Sequence, residues 1–413
     1  MSYFKGHHMM RQISYVLILV LGVMQNLKAQ DKKIIFYHDA DYTSHYNAAQ
    51  SMNMGFNTAL SERNFMVQGY TIELKVKDHH GNAKRSKLHM KQFLKDEEAL
   101  GVLGGLHSPP YLSNLKYINE NGIPLLIPWA AAGPITRYKE GSNWVFRVSI
   151  DDSKAGAFIG AYAAEVKKCQ RPHLLLENTG WGKFNSTMLT QAFKSKNINH
   201  TPNTWFDWNT NAATAKIIIK DILSDNSDCI IFVGNSLEGK VFTQALSETG
   251  VNTKIPFISH WGITGGEFPD FFKTNLVNKI DLSFIQTCFS FISSPETEFT
   301  QKVLRQAYAL YPEKLKTSED IKAPPGFIHA YDLGKIILAA LDQIKITGNM
   351  WQDRQSFRDA LETLPEPIQG LVKTYSPPFE PWSMENRDAH EALNQDNFCM
   401  AYYDDDGLIH LAK

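Results

Sequence analysis

The residues able to do chemistry in this chain fall in a few places, and each can be held against the spacing its chemistry needs. Gly234-Asn235-Ser236-Leu237-Glu238-Gly239 is the nearest approach to a nucleophile elbow, and it follows a predicted strand as an elbow would. The strained turn requires G-x-S-x-G, however, and one residue too many separates Ser236 from Gly239. Asp78-His79-His80 offers metal-ligand side chains but stands beside Gly81-Asn82 in a turn, with no HExxH or other ligand frame, and reads as a solvated loop. Asp404-Asp405-Asp406-Gly407 lacks the alternating ligands and distal Glu of a calcium loop; it reads as a hairpin turn, where Asp tolerates the geometry and Gly takes positive φ. Neither G-x-G-x-x-G nor G-x-x-x-x-G-K-[ST] occurs, so no phosphate-cradling loop is visible. No catalytic residue, metal or cofactor is expected, and an α/β hydrolase using Ser236 is the minor enzyme reading.

These side chains must be positioned by a chain of 413 residues, enough for two or three domains at roughly 100 to 200 residues each. With 42 basic and 43 acidic side chains the net charge is -1, which gives no electrostatic reason to expect nucleic acid as a partner. The four cysteines, Cys169, Cys229, Cys288 and Cys399, have no CxxC spacing. They read as core residues or as one or two bridges.

Arg11 followed by the apolar run Ile13 to Met24 is too short to span a bilayer and fits a signal-peptide core, with Leu27-Lys28-Ala29 placing a small residue at the cleavage point. Removing residues 1–29, which carry Lys5, Arg11 and Lys28 and no acid, leaves 384 residues with a net charge of -4. The product is expected to be exported to the periplasm as a soluble protein.

Short apolar runs then alternate with longer amphipathic ones, as in α/β folds with parallel sheets. Strands are predicted near 34–37, 71–76, 101–104 and 124–127, with helices over 45–63 and 83–94. A third helix opens at Ser108-Pro109, Ser as N-cap and Pro at the first helical position. A second array has strands near 174–176, 204–206, 230–233 and 256–258 and helices near 154–168, 183–194, 212–223 and 238–249. Helices over 296–310, 327–344 and 352–361 and a hairpin of 397–403 with 408–411 complete the chain. Two arrays of similar size with no Pro/Gly/Ser-rich linker imply two lobes joined by strands that cross between them.

The stretch Asp78 to Pro109, then Gly122-Ile123-Pro124 leading to Ile127-Pro128-Trp129-Ala130-Ala131-Ala132, then Val145-Phe146-Arg147-Val148, resembles the type I periplasmic binding proteins. Within them it is most similar to the branched-chain amino-acid and amide binders of ABC transporters. Glu177-Asn178-Thr179-Gly180-Trp181-Gly182 and Ser259-His260-Trp261-Gly262-Ile263-Thr264-Gly265 extend the resemblance over nearly all of residues 31 to 413. It implies a two-lobe α/β clamshell, each lobe a parallel-rich sheet flanked by helices. One lobe is expected from 30–150 with about 290–390, the other from 151–289 with about 391–413. A small molecule would bind in the cleft, the lobes would close on it, and the closed form would be presented, as a monomer, to a membrane ABC permease. The alternative is the same clamshell reporting occupancy to a sensor kinase or other membrane signalling partner.

By the same resemblance Ser108 matches a serine that binds a ligand carboxylate at a helix N-terminus, although Pro109 and Pro110 remove two N–H donors there; a plain N-cap is the alternative. Ala130 and Ala131 match positions whose backbone faces the ligand. Ala132 and Trp261 replace a hydroxyl residue and an acid that usually meet an amino group, which argues against a simple α-amino acid, since a buried ammonium without a counter-charge costs several kcal/mol. Trp129, Trp181 and Trp261 fall at strand ends or strand-to-helix turns, and Tyr46 aligns with a ligand-packing aromatic; if cleft-facing rather than core, they suit a flat aromatic ligand by stacking or a cation through the ring faces. Asn235 and His260 are candidate polar contacts, and Phe327 is a candidate for closing the cleft.

Overall fold

The computed structural model describes residues 32–250 and 255–412; the expected signal segment lies outside them. Strands β1 (Lys33–Ala40), β2 (Met66–Val67), β3 (Tyr70–Asp78), β4 (Ala99–Gly104), β5 (Leu125–Ile127) and β6 (Val145–Arg147) form a first sheet in the order β2-β3-β1-β4-β5-β6, parallel except for β2. Then come β7 (Pro172–Glu177), β8 (Thr204–Phe206), β9 (Cys229–Val233), β10 (Pro256–Ser259) and β11 (Asp281–Thr287). They are followed by the small pair β12 (Ile368–Gln369) and β13 (Thr374–Tyr375), and by β14 (Phe398–Tyr403) and β15 (Ile409–Leu411). The second sheet runs β15-β14-β11-β10-β9-β7-β8. Central strands such as β4, β7 and β9 are buried along their whole length because helices cover both sheet faces, which is why they read as unbroken apolar runs.

All the strands and helices expected for the two arrays occur. Strand β11 and the helix Phe268–Asn275 do not stand out in the sequence: Ser283 and Gln286 interrupt the apolar run of the first, and the second is only eight residues with Pro269 in its first turn. The Asp-rich turn is closed by Asp404 Oδ1 accepting from the N–H groups of Asp406 and Leu408, with Gly407 at φ 76°.

The chain passes between the sheets three times, through 148–151, 288–297 and 391–397. The helices Pro324–Gln343 and Met350–Leu361 return to the first sheet, where Arg354 Nε donates to the Ala99 carbonyl at 2.9 Å and the Phe357 ring meets Phe36. Helices Pro324–Gln343 and Tyr46–Ser61 approach so closely that a Cβ on Gly55 would lie 2.1 Å from the Phe327 carbonyl oxygen.

Two of the crossings are joined by buried charge. Arg147 N–H donates to the His390 carbonyl, and the Arg147 guanidinium donates to Glu391 and to Asp151 Oδ1, the latter at 2.9 Å. Arg137 bridges Asp151 and Asp388 at 2.6 Å each, and Thr136 donates to Glu391. The alternatives open for the cysteines resolve into two disulfides, Cys169–Cys229 and Cys288–Cys399, both within the second sheet and its flanking segments.

Candidate binding cleft

Leaving out β2 and the β14–β15 hairpin, both sheets have one strand order, β3-β1-β4-β5-β6 and β8-β7-β9-β10-β11. Each reverses direction once, between β1 and β4 and between β7 and β9, and in open α/β sheets ligands bind outside the carboxyl ends of strands at such points. The candidate residues follow the carboxyl ends of these strands: Tyr46 after β1, Ser108 after β4, Asn235 after β9 and Trp181 after β7 flank the reversal points, and Trp129 to Ala131 after β5 and His260 and Trp261 after β10 lie one strand further along.

The two sets of strand ends meet. Trp129 from the first sheet and Trp261 from the second have ring centroids 5.7 Å apart at 52°, and both side chains are buried. Trp129 also lies over Gly326, where a Cβ would come within 2.7 Å of its ring, and Trp261 packs on His329. The Trp129 indole N–H is buried and has no partner among the described residues. These rings are therefore packed between the strand ends of the two sheets.

On the second sheet's side the organising group is Asp152, which the sequence reading did not single out. Its Oδ2 accepts from Trp181 Nε1 at 2.8 Å and from Asn185 Nδ2 at 2.7 Å, and its Oδ1 lies 2.7 Å from His260 Nε2. Asp151 caps the helix Asp152–Glu165 by accepting from Ser153 N–H, leaving Asp152 free to point inward. Two adjacent acids at a helix start look like one capping signal, which is why only the structure separates them. With Nε2 turned to a carboxylate, His260 has its Nδ1 buried and without a partner among the described residues.

Glu177, at the end of β7, is also buried. It accepts from Thr179 Oγ1 at 2.9 Å and Asn235 Nδ2 at 3.2 Å, and burial pushes its carboxyl up to about 7 against those hydrogen bonds. Asn235 therefore holds Glu177, while Ser236 Oγ is buried without a partner among the described residues.

Several expectations need correction. Ser108 does not cap its helix: its backbone is already helical at φ -74° and ψ -37°, Pro109 and Pro110 offer no N–H, and the Tyr111 N–H goes to the Ser108 carbonyl. Its hydroxyl instead accepts from Ala132 N–H at 3.1 Å, binding the β4 loop to the β5 loop. Ala130 N–H is taken by the Gly105 carbonyl and the Ala131 carbonyl by Asp152 N–H. Phe327 lies in a core cluster with Phe289 and Tyr331, its ring against Phe291, so it packs helices and does not line the cleft. His79 is not solvated; it is buried, with Nδ1 accepting from Gly81 N–H, and only His80 is exposed.

At the first sheet's reversal point Asp41, His45 and His107 are drawn together, all buried, and Trp208 from the far side covers His107 with ring centroids 4.9 Å apart. Their i, i+4 spacing, Asp41 to His45, is the signal that could have found two of them.

The model of the family described as periplasmic binding protein matches residues 41–402, and the chain belongs to that family. Among solved structures, a type 1 periplasmic binding protein of Bordetella pertussis aligns with TM-score 0.74 at 16% identity, covering 92% of this chain and all of that one (100%). A leucine-binding protein of Thermotoga maritima aligns with TM-score 0.72 at 16% identity over 92% and 98% of the two chains. A solute-binding protein of an ABC transporter of Rhodopseudomonas palustris, in complex with benzoate, gives TM-score 0.74 at 15% identity over 92% and 95%. No curated protein matches. The fold is thus the two-lobe type I clamshell.

Proposed function

We propose that this protein captures a small aromatic carboxylate between its lobes and delivers it to the permease of an ABC importer. The observation that carries the ligand class is the Trp129–Trp261 pair, two indole faces from opposite sheets with a buried indole N–H left unpartnered beside them. An aromatic ring is held by indole faces at roughly 0.5 to 1.5 kcal/mol per pair, and a carboxylate oxygen is the acceptor an N–H donor lacks. The benzoate-bound relative supports the same class. By the resemblance, Trp261 stands where amino-acid binders carry an acid, which argues against a simple α-amino acid.

In this reading the lobes comprise 30–150 with about 290–390 and 151–289 with about 391–413, turning on the three crossings, and the protein acts as a monomer. Two disulfides in a chain with a signal-like N-terminus support export to an oxidising compartment. Thermal unfolding with benzoate, 4-hydroxybenzoate and leucine tests the ligand class. An aromatic acid at 100 times its dissociation constant adds about 2.7 kcal/mol of stability. A shift with leucine alone, or with no aromatic acid, removes the proposal.

A further inference from the structure

Three side chains at the first sheet's reversal point converge on one spot. Asp41 Oδ2 lies 3.4 Å from His45 Nδ1 and 3.3 Å from His107 Nε2, and the two nitrogens are 3.2 Å apart. Three ligands about 2.0 to 2.1 Å from a zinc-class ion in tetrahedral arrangement stand about 3.3 to 3.4 Å from one another, which is the triangle found here. The carboxylate is aimed: Asp41 Oδ1 accepts from Thr43 N–H at 3.1 Å and Ser44 N–H at 2.8 Å, leaving Oδ2 turned to the imidazoles. Fixing the non-ligating oxygen is the way ligand carboxylates are oriented around metals.

Protons alone satisfy this cluster poorly. If both imidazoles donate to Asp41 Oδ2, two N–H groups stand 3.2 Å apart and the opposite nitrogens, His45 Nε2 and His107 Nδ1, become buried acceptors with no donor. A dication at the centre takes one lone pair from each of the three and removes the clash of the two inner N–H groups; the outer nitrogens, His45 Nε2 and His107 Nδ1, have no partner among the described residues in either arrangement.

We propose that Asp41, His45 and His107 form a site for one divalent transition-metal ion of the zinc class. Three protein ligands leave a fourth position, and Trp208, in the turn after β8 of the second sheet, covers the site.

The test uses the protein prepared without a histidine tag and stripped with chelator, titrated with Co2+ and then Zn2+. We expect visible absorption bands of four-coordinate Co2+ saturating at one equivalent, their loss on adding Zn2+, and at least tenfold weaker Co2+ binding in His45→Gln and His107→Gln. His329→Gln, at a buried histidine outside the cluster, retains the bands. If His107→Gln fails to fold, Asp41→Asn, which keeps the acceptor for Thr43 and Ser44, makes the same comparison. Absence of a one-equivalent band in the unmutated protein, or bands that persist in both cluster variants, overturns the site.

Discussion

The Arg147 guanidinium grips both oxygens of the Glu391 carboxylate, Nε to Oε2 at 2.8 Å and Nη2 to Oε1 at 2.5 Å, and solvent reaches neither side chain. The pair links the end of β6, where the first crossing begins, to the start of the third, so these two connections between the sheets are held in register by buried charge. Removing one partner of such a pair strands the other. Arg147→Met is expected to cost about 3 to 5 kcal/mol in urea unfolding, with part of the loss recovered in Arg147→Met/Glu391→Leu. The exposed Arg63–Asp342 pair is the contrast: Arg63→Ala leaves the midpoint nearly unchanged.

Trp181→Phe keeps a ring against His260 and deletes the donor to Asp152. Asp152 retains Asn185 and His260, so the stability loss should be about 1 to 3 kcal/mol, while affinity for an aromatic acid falls by a factor of ten or more. Calorimetric titration beside urea unfolding separates the two. An unchanged affinity in the folded variant places Trp181 in the packing alone.

The raised carboxyl of Glu177 links stability to pH. In the unfolded chain this group releases its proton near 4.3, whereas in the folded one it keeps it to about 7. The unfolded state therefore binds fewer protons across that window, so stability is fully present below it and declines as pH rises through about 7. Glu177→Gln should flatten this decline and be the more stable form at pH 8, as read from urea midpoints at pH 5, 6, 7 and 8. The same slope in both proteins excludes Glu177 as its source.

The two disulfides close loops with sequence separations of 60 and 111 residues. By chain entropy each stabilises the fold by roughly 4 to 5 kcal/mol, and measured values commonly lie lower, at about 2 to 4. Cys288→Ala/Cys399→Ala should lower the thermal midpoint by several degrees, whereas the aromatic-acid affinity should be retained, since neither sulfur belongs to the cleft.

The alternation of strands and helices was legible because parallel strands buried on both faces must be apolar throughout. β7 (PHLLLE) and β9 (CIIFV) announce themselves in that way. Strand β11 escapes notice because Ser283 and Gln286 are buried among its apolar residues. The tryptophans at strand ends were visible for the same topological reason: the residue that follows a parallel strand is delivered to one rim of the sheet. What stayed hidden depends on direction and distance. Only the backbone shows that Ser108 is helical and cannot cap, or that Asp152 turns inward while Asp151 does not. The pairing of His107 with Asp41 and His45 joins residues 62 and 66 positions apart, which no local pattern encodes.

The antiparallel cover of β11 bears on how the polypeptide is made. Strand β14, residues Phe398–Tyr403, shields the edge of Asp281–Thr287, and Cys399 supplies the partner for Cys288. A chain emerging from its N-terminus therefore carries an open apolar strand edge and an unpaired thiol for the 111 residues of synthesis that separate Cys288 from Cys399. Products truncated before residue 398 should aggregate, because they lack the strand that covers this edge.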